Sequence, residues 1–172
     1  MELKNKKIAI LAENTYEDME LWYPLLRMRE AGAEVVVVGP QRGVFESKHG
    51  YPVTAEVAAS EVSASDFDAF IIPGGYAPDL MRASEAMLDL IRTANQEGTI
   101  IAAICHAGWV LASAEVLQGK KVTGYYTIKD DLKNAGGTYM DSEVVRDGNI
   151  ITSRMPSDLP AFCRTIIAAL KE

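Results

Sequence analysis

Ile100-Ile101-Ala102-Ala103-Ile104-Cys105-His106-Ala107-Gly108, running on into Trp109-Val110-Leu111-Ala112-Ser113-Ala114, is the stretch that decides how this chain folds. Ile100 to Ile104 is short, apolar and rich in isoleucine, as suits a strand buried on both faces of a parallel sheet. The residues from Trp109 read as helix. Cys105 therefore stands where a buried strand turns sharply into a helix. At such a nucleophile elbow the turn exposes the side chain, and the helix N-terminus favours negative charge on it. A free thiol titrates near ~8.5, and a helix N-terminus or a nearby imidazolium lowers that value. Ala103 and Ala107 leave room for the tight packing an elbow requires. A plain core cysteine fits the same pattern, because free cysteine packs as a small hydrophobe. The rest of the chain has to decide.

Outward from this stretch, buried strands and helices alternate. Lys7 to Ala12 reads as a first strand, and Glu13 to Glu17 as a polar loop. A helix starts at Asp18, with Leu21, Leu25 and Met28 on one face and Pro24 set to kink or restart it. Ala31-Gly32-Ala33 ends it, and Glu34 to Gly39 is a second strand, giving a β-α-β unit with a right-handed crossover. Gly43–Ser47 and Tyr51–Ala55, turned by Lys48-His49-Gly50, predict a small hairpin on the edge of the main sheet, and Pro52 suits an edge. Asp68 to Pro73 is a third core strand ending in Gly74-Gly75. Ser84 caps a helix through Asn95 that Gly98 stops.

Beyond the Cys105 elbow, Lys121-Val122-Thr123 is a short strand and Ile128 to Asn134 a short helix. Glu143–Arg146 and Asn149–Thr152 flank Asp147-Gly148, a hairpin signal. A helix from Ser157 to Lys171 closes the chain, with Cys163 on its apolar face. The pattern is a doubly wound α/β sandwich, flavodoxin-like, with a mostly parallel sheet, in one domain over residues 1–172. Ligands of open sheets bind beyond the carboxyl ends of the strands. Glu13–Glu17, Gly74-Gly75 and Cys105-His106 all fall at such ends, which favours a functional Cys105.

Composition sets the outer bounds. The chain has 172 residues, 48% hydrophobic and 24% charged, with a net charge of −7 that disfavours nucleic acid and anionic membrane as partners. No apolar run reaches membrane-span length and the N-terminus leads straight into a strand, so a cytoplasmic protein is expected. Cys105 and Cys163 lie far apart without Cys-x-x-Cys spacing, and His49 and His106 are the only histidines. Neither a disulfide framework nor a histidine-rich metal site is indicated. No Gly-x-Gly-x-x-Gly follows the first strand, so the dinucleotide fingerprint is absent.

Six fragments carry a family likeness across nearly the whole chain: Tyr16–Leu21, Lys48-His49-Gly50, Pro73–Asp79, Ala103–His106, Ile128–Asp131 and Ser153–Leu159. In this order and spacing the sequence resembles the DJ-1/PfpI superfamily, in particular the PfpI-like intracellular protease and deglycase branch. The resemblance implies a cysteine at the elbow, no required metal or organic cofactor, and self-association as a homodimer or hexamer. It also implies activity on carbonyl substrates: as a peptidase, as a glutathione-independent glyoxalase, or as a deglycase of glycated adducts. Where the family places glycine after Cys-His, this chain has Ala107, whose Cβ is expected to narrow the pocket.

Cys105 is the expected nucleophile. By resemblance Glu17 approaches the thiol, and a carboxylate touching a thiolate repels it, so one of the two should hold a proton. A protonated Glu17 would then serve as general acid. The same residue at a helix start also reads as a capping acid. His106 is the proposed base of the branch, oriented by an acid of the adjacent subunit, and Asp79 occupies that position. Asp79 equally reads as a first-turn acid after Pro78. The backbone N–H groups of Gly74, Gly75 and His106 are expected to form an oxyanion hole. Tyr125 and Tyr126 either line the pocket or pack nearby, and His49 is expected to be structural or at an interface. The expected activity is that of a cysteine-nucleophile hydrolase. The alternative is a redox-sensing stress protein whose cysteine is oxidised without substrate turnover.

Overall fold

The computed structural model describes every residue from Met1 to Glu172. In chain order the first half forms β1 (Lys7–Leu11), α1 (Asp18–Glu30), β2 (Glu34–Gly39), β3 (Gly43–Glu46), β4 (Pro52–Ala55), β5 (Val57–Ala58), β6 (Ala69–Ile72), α2 (Ala77–Met81) and α3 (Glu85–Glu97). The second half forms β7 (Ile100–Ile104), α4 (Gly108–Ser113), β8 (Lys121–Val122), α5 (Lys129–Asn134), β9 (Thr138–Tyr139), β10 (Val145–Asp147), β11 (Ile150–Ser153) and α6 (Leu159–Leu170).

Seven strands make one sheet in the order β10-β11-β7-β6-β1-β2-β5. All pairings are parallel except β10 with β11. The apolar runs are buried on both faces, as parallel strands between helical layers require. Helices α1 and α6 pack together against one face, while α3 and α4 pack together against the other. The chain winds from β1 outward to β2 and β5, then returns to β6 and proceeds to β7 and β11. Strand order thus reverses between β1 and β6, and the crevice of a doubly wound sheet opens beyond such a reversal. The ends of β1, β6 and β7 lie side by side there, so the topology alone gathers the Glu17, Gly74-Gly75 and Cys105 segments.

Four local expectations change. The Gly43–Ala55 hairpin is a separate two-stranded ribbon, because β5 takes the sheet edge beside β2. The ribbon folds onto Gly39, where a Cβ would come within 2.8 Å of Phe45 and 2.9 Å of Ala55. A bridge between Tyr16 and Ser47 then ties the ribbon to the loop after β1. Pro24 neither breaks nor restarts α1; it is buried inside one continuous helix, where it supplies no N–H to the Glu20 carbonyl. In the late hairpin Asp147 pairs with Ile150, so the turn residues are Gly148 and Asn149, Gly148 at φ +60°. A tight turn at Pro156–Asp158 precedes α6, which begins at Leu159.

Candidate active site

Cys105 follows β7 directly, and its backbone turns from extended at Ile104 to φ +62°. A non-glycine residue in this region carries roughly 1–3 kcal/mol of strain. The strain is held by neighbours on both sides: the Cys105 carbonyl accepts the Tyr125 N–H at 3.1 Å, and Ala107 is fully buried. Ala107 points into the core and does not line the cavity, so its Cβ leaves the pocket width alone. Cys105 faces a cavity of 480 Å³ lined also by Glu17, Glu20, Lys48, Gly75, Tyr76, His106, Trp109, Tyr125 and Pro156.

The carboxyl group beside the thiol is that of Glu20, not Glu17. Glu17 is the N-cap of α1, its Oε2 accepting the N–H groups of Met19 at 2.9 Å and Glu20 at 3.2 Å. That geometry holds its carboxylate at the helix start, with Lys48 Nζ 3.9 Å from the other oxygen. Glu20 lies one turn further along the inward face of α1 and is 0% exposed. Its Oε2 accepts the Gly74 N–H at 3.2 Å, and its carboxyl shares the cavity wall with the Cys105 thiol, to which it is electrostatically coupled. Oε1 is buried without a hydrogen-bond partner. Burial, reinforced by the Glu17 charge, pushes the Glu20 carboxyl up to about 8. It therefore holds a proton at neutral pH, which makes the carboxyl a hydrogen-bond donor rather than an acceptor only.

Burial also pushes the Cys105 thiol up, and an ionised Glu20 would push it further. The backbone N–H groups of His106 and Gly75 pull the other way by donating to sulfur. They are the two members of the expected oxyanion hole that converge on the reacting atom. The Gly74 N–H is spent on Glu20 and is not free for an oxyanion. Gly74 is needed for another reason: a Cβ would sit 2.7 Å from Glu20 Oε2 and 2.8 Å from Cys105 Cβ.

His106 Nδ1 lies 3.3 Å from Cys105 Sγ. Burial first, and the Lys48 charge second, hold the imidazole below its usual value, while Asp131 opposes them. The ring is therefore neutral at pH 7 and able to accept a proton. Trp109 meets it edge-on, and Tyr125 lies against its other side. Tyr125 thus lines the pocket, whereas Tyr126 packs on Tyr125 outside it. Asp79 is not brought to His106 within the chain. It lies in the first turn of α2, bonded to Tyr76 and 3.9 Å from Arg82. His49 makes a structural bond, Nδ1 to Asp18 Oδ2 at 2.8 Å. Glu17, Asp18 and His49 place ligand-type atoms within 4.8 Å of one another, each already engaged in a cap or a ribbon contact.

Glu20, Trp109 and Asp131 have no place in the site expected from sequence. Glu20 had a signal: with Pro24 and Met28 it falls on the inward stripe of α1, where a carboxylate has no reason to be unless it is used. No helix of the protein is long and apolar enough to cross a membrane.

The comparisons with known proteins agree with this architecture. The family model described as DJ-1/PfpI family matches residues 6–169. The deglycase PfpI of Pyrococcus furiosus is 44% identical over 165 residues, covering 96% of this chain and 99% of that protein. The protein/nucleic acid deglycase 2 of Escherichia coli is 39% identical over 169 residues, covering 96% and 98%. Among solved structures, a two-domain protein from Anabaena variabilis with DJ-1/ThiJ/PfpI-like and ferritin-like domains superposes with a TM-score of 0.95 at 41% identity. It covers 96% of this chain and 48% of that one. A flavodoxin-like sandwich with a strained cysteine beyond the switch point, matched along nearly its whole length, places this chain in the DJ-1/PfpI family.

Proposed function

We propose that this protein is a cysteine-nucleophile hydrolase that converts 2-oxoaldehydes and their adducts with amines or thiols to 2-hydroxy acids. The observation that carries the reading is the Cys105 thiol at φ +62°, between a proton-bearing Glu20 and a neutral His106 whose Nδ1 is 3.3 Å away. As Sγ attacks the aldehyde carbon, the thiol proton passes to His106 Nδ1 and the Gly75 and His106 N–H groups face the developing charge. Glu20 gives its proton to the former carbonyl oxygen, completing a hemithioacetal. Moving the hydrogen from the first carbon to the second, while Glu20 takes back the hydroxyl proton and His106 passes its own to the second oxygen, turns this into a thioester of a 2-hydroxy acid and resets both residues. Water, deprotonated by His106, then releases the acid and restores the thiol. The sum is 2-oxoaldehyde plus water to 2-hydroxy acid, with the amine or thiol set free from an adduct.

A 480 Å³ cavity suits small carbonyl compounds. The names of the P. furiosus and E. coli relatives support a deglycase. Self-association, and action in the cytoplasm, are part of the proposal on family grounds. The test compares the wild type with Cys105→Ala on methylglyoxal, a glycated thiol and unfolded casein. Loss of methylglyoxal and adduct turnover in the variant supports the reading, and unchanged turnover rejects it. Casein cleavage lost with Cys105 would extend the activity to peptides.

The second reading is a redox sensor, favoured by the same thiol beside a proton-bearing carboxyl. Clean addition of two oxygens to Cys105 under mild peroxide, with no carbonyl turnover by the wild type, would favour it.

A further inference from the structure

A histidine serves as base to a thiol only while its ring is held toward the sulfur, and in this chain the holding groups come from α4, α5 and the loop between them. The Trp109 indole, three residues after His106, meets the imidazole edge-on with ring centres 4.9 Å apart at 67°. Tyr125 lies against the ring at 5.1 Å and 31°, its own N–H bonded to the Cys105 carbonyl. Trp109 is fixed in turn, because Nε1–H donates to Asp131 Oδ2 at 2.9 Å and the Arg82 guanidinium lies 5.8 Å from the indole centre. Gly108 allows this approach of α4 to α5: a Cβ there would sit 2.6 Å from Leu132 Cδ2.

We propose that Trp109 and Asp131 are positioning residues that hold the His106 imidazole against the Cys105 thiol from within the same chain. Resting on the proposed hydrolase function, this assigns the orienting task to a side-chain pair outside the sequence-derived site. Asp131 also supplies negative charge for the imidazolium that forms when the thiol proton crosses. The other titratable groups facing the ring are Cys105, Lys48, whose ammonium opposes that charge, and Tyr125, with Glu17 and Glu20 across the cavity.

The test joins a ring-nitrogen NMR titration to methylglyoxal kinetics for Asp131→Asn, Trp109→Phe and the double variant. With two histidines in the chain, His49→Gln completes the assignment. Asp131→Asn should move the His106 midpoint to lower pH. Each single variant should lower kcat by about three- to tenfold with KM nearly unchanged, because positioning rather than binding is lost. The double variant should lose no more than the worse single one, since both act through one contact. A His106 midpoint unmoved in Asp131→Asn, or losses that multiply in the double variant, would each overturn the proposal. The NMR midpoint needs no turnover, so it judges the positioning even if Cys105→Ala retained activity and the hydrolase reading fell.

Discussion

Cys105 and Cys163 are both buried, and burial pushes both thiols up, Cys163 to about 12. Their surroundings are otherwise opposite. Cys163 lies mid-helix in α6 among core residues, with no proton partner and no cavity. Cys105 has a left-handed backbone, an open side on a cavity, two backbone donors aimed at sulfur, a base at 3.3 Å and an acid that keeps its proton. Burial alone makes a thiol inert. What makes one usable is a nearby group to take its proton and donors to steady the resulting sulfur. The strained turn matters because it aims the side chain out of the sheet and into that company.

The contrast can be broken most severely at Cys105 itself. Cys105→Ala should lower methylglyoxal turnover by about ten-thousandfold, the scale of losing a nucleophile, while Cys163→Ala keeps turnover within about twofold. Equal losses in the two variants would erase the distinction.

Next in size is the cost of burying Glu20. Its pKa rises from 4.5 in the unfolded chain to about 8 in the fold, so between those values the folded state binds more protons. Stability contributed by this group is complete at low pH and declines as pH rises through that window, by about 5 kcal/mol. Denaturation curves from pH 5 to 9 should show the decline in the wild type and a flatter profile in Glu20→Gln. Parallel profiles would mean that Glu20 is ionised throughout.

Exchanging the two acids sharpens the picture further. Glu20→Gln should reduce kcat by about a hundredfold through loss of a positioned acid. Glu17→Ala should chiefly cost the helix cap, about 1 kcal/mol of stability, visible as a lower denaturation midpoint with a much smaller change in kcat. The reverse ranking in kcat would restore Glu17 as the acid.

The framework was legible in the sequence because it rests on periodicity. Ile100–Ile104, Lys7–Leu11 and Glu34–Gly39 are unmistakable buried strands, and parallel pairing then brings Glu17, Gly74-Gly75 and Cys105 to one edge. The site's interior was less legible, because contacts depend on side-chain direction. Glu17 and Glu20 are three residues apart, and which of them reaches Cys105 depends on which is taken as the helix cap. Likewise the Gly74 N–H belongs to Glu20 and not to an oxyanion hole, a pairing between residues 54 positions apart that no local pattern announces. Trp109 read only as part of a helix, since its bond to Asp131 requires α4 and α5 to be packed.

The central claim is that Glu20 stands protonated beside the Cys105 thiol at neutral pH. Infrared difference spectroscopy of the carboxylic acid C=O stretch, comparing wild type with Glu20→Gln and Glu17→Gln, tests it most directly. The account predicts a protonated-carboxyl band at pH 7 that is absent in Glu20→Gln, present in Glu17→Gln, and lost from the wild type as pH rises through about 8. No such band at pH 7, or a band that disappears with Glu17 instead, would contradict it.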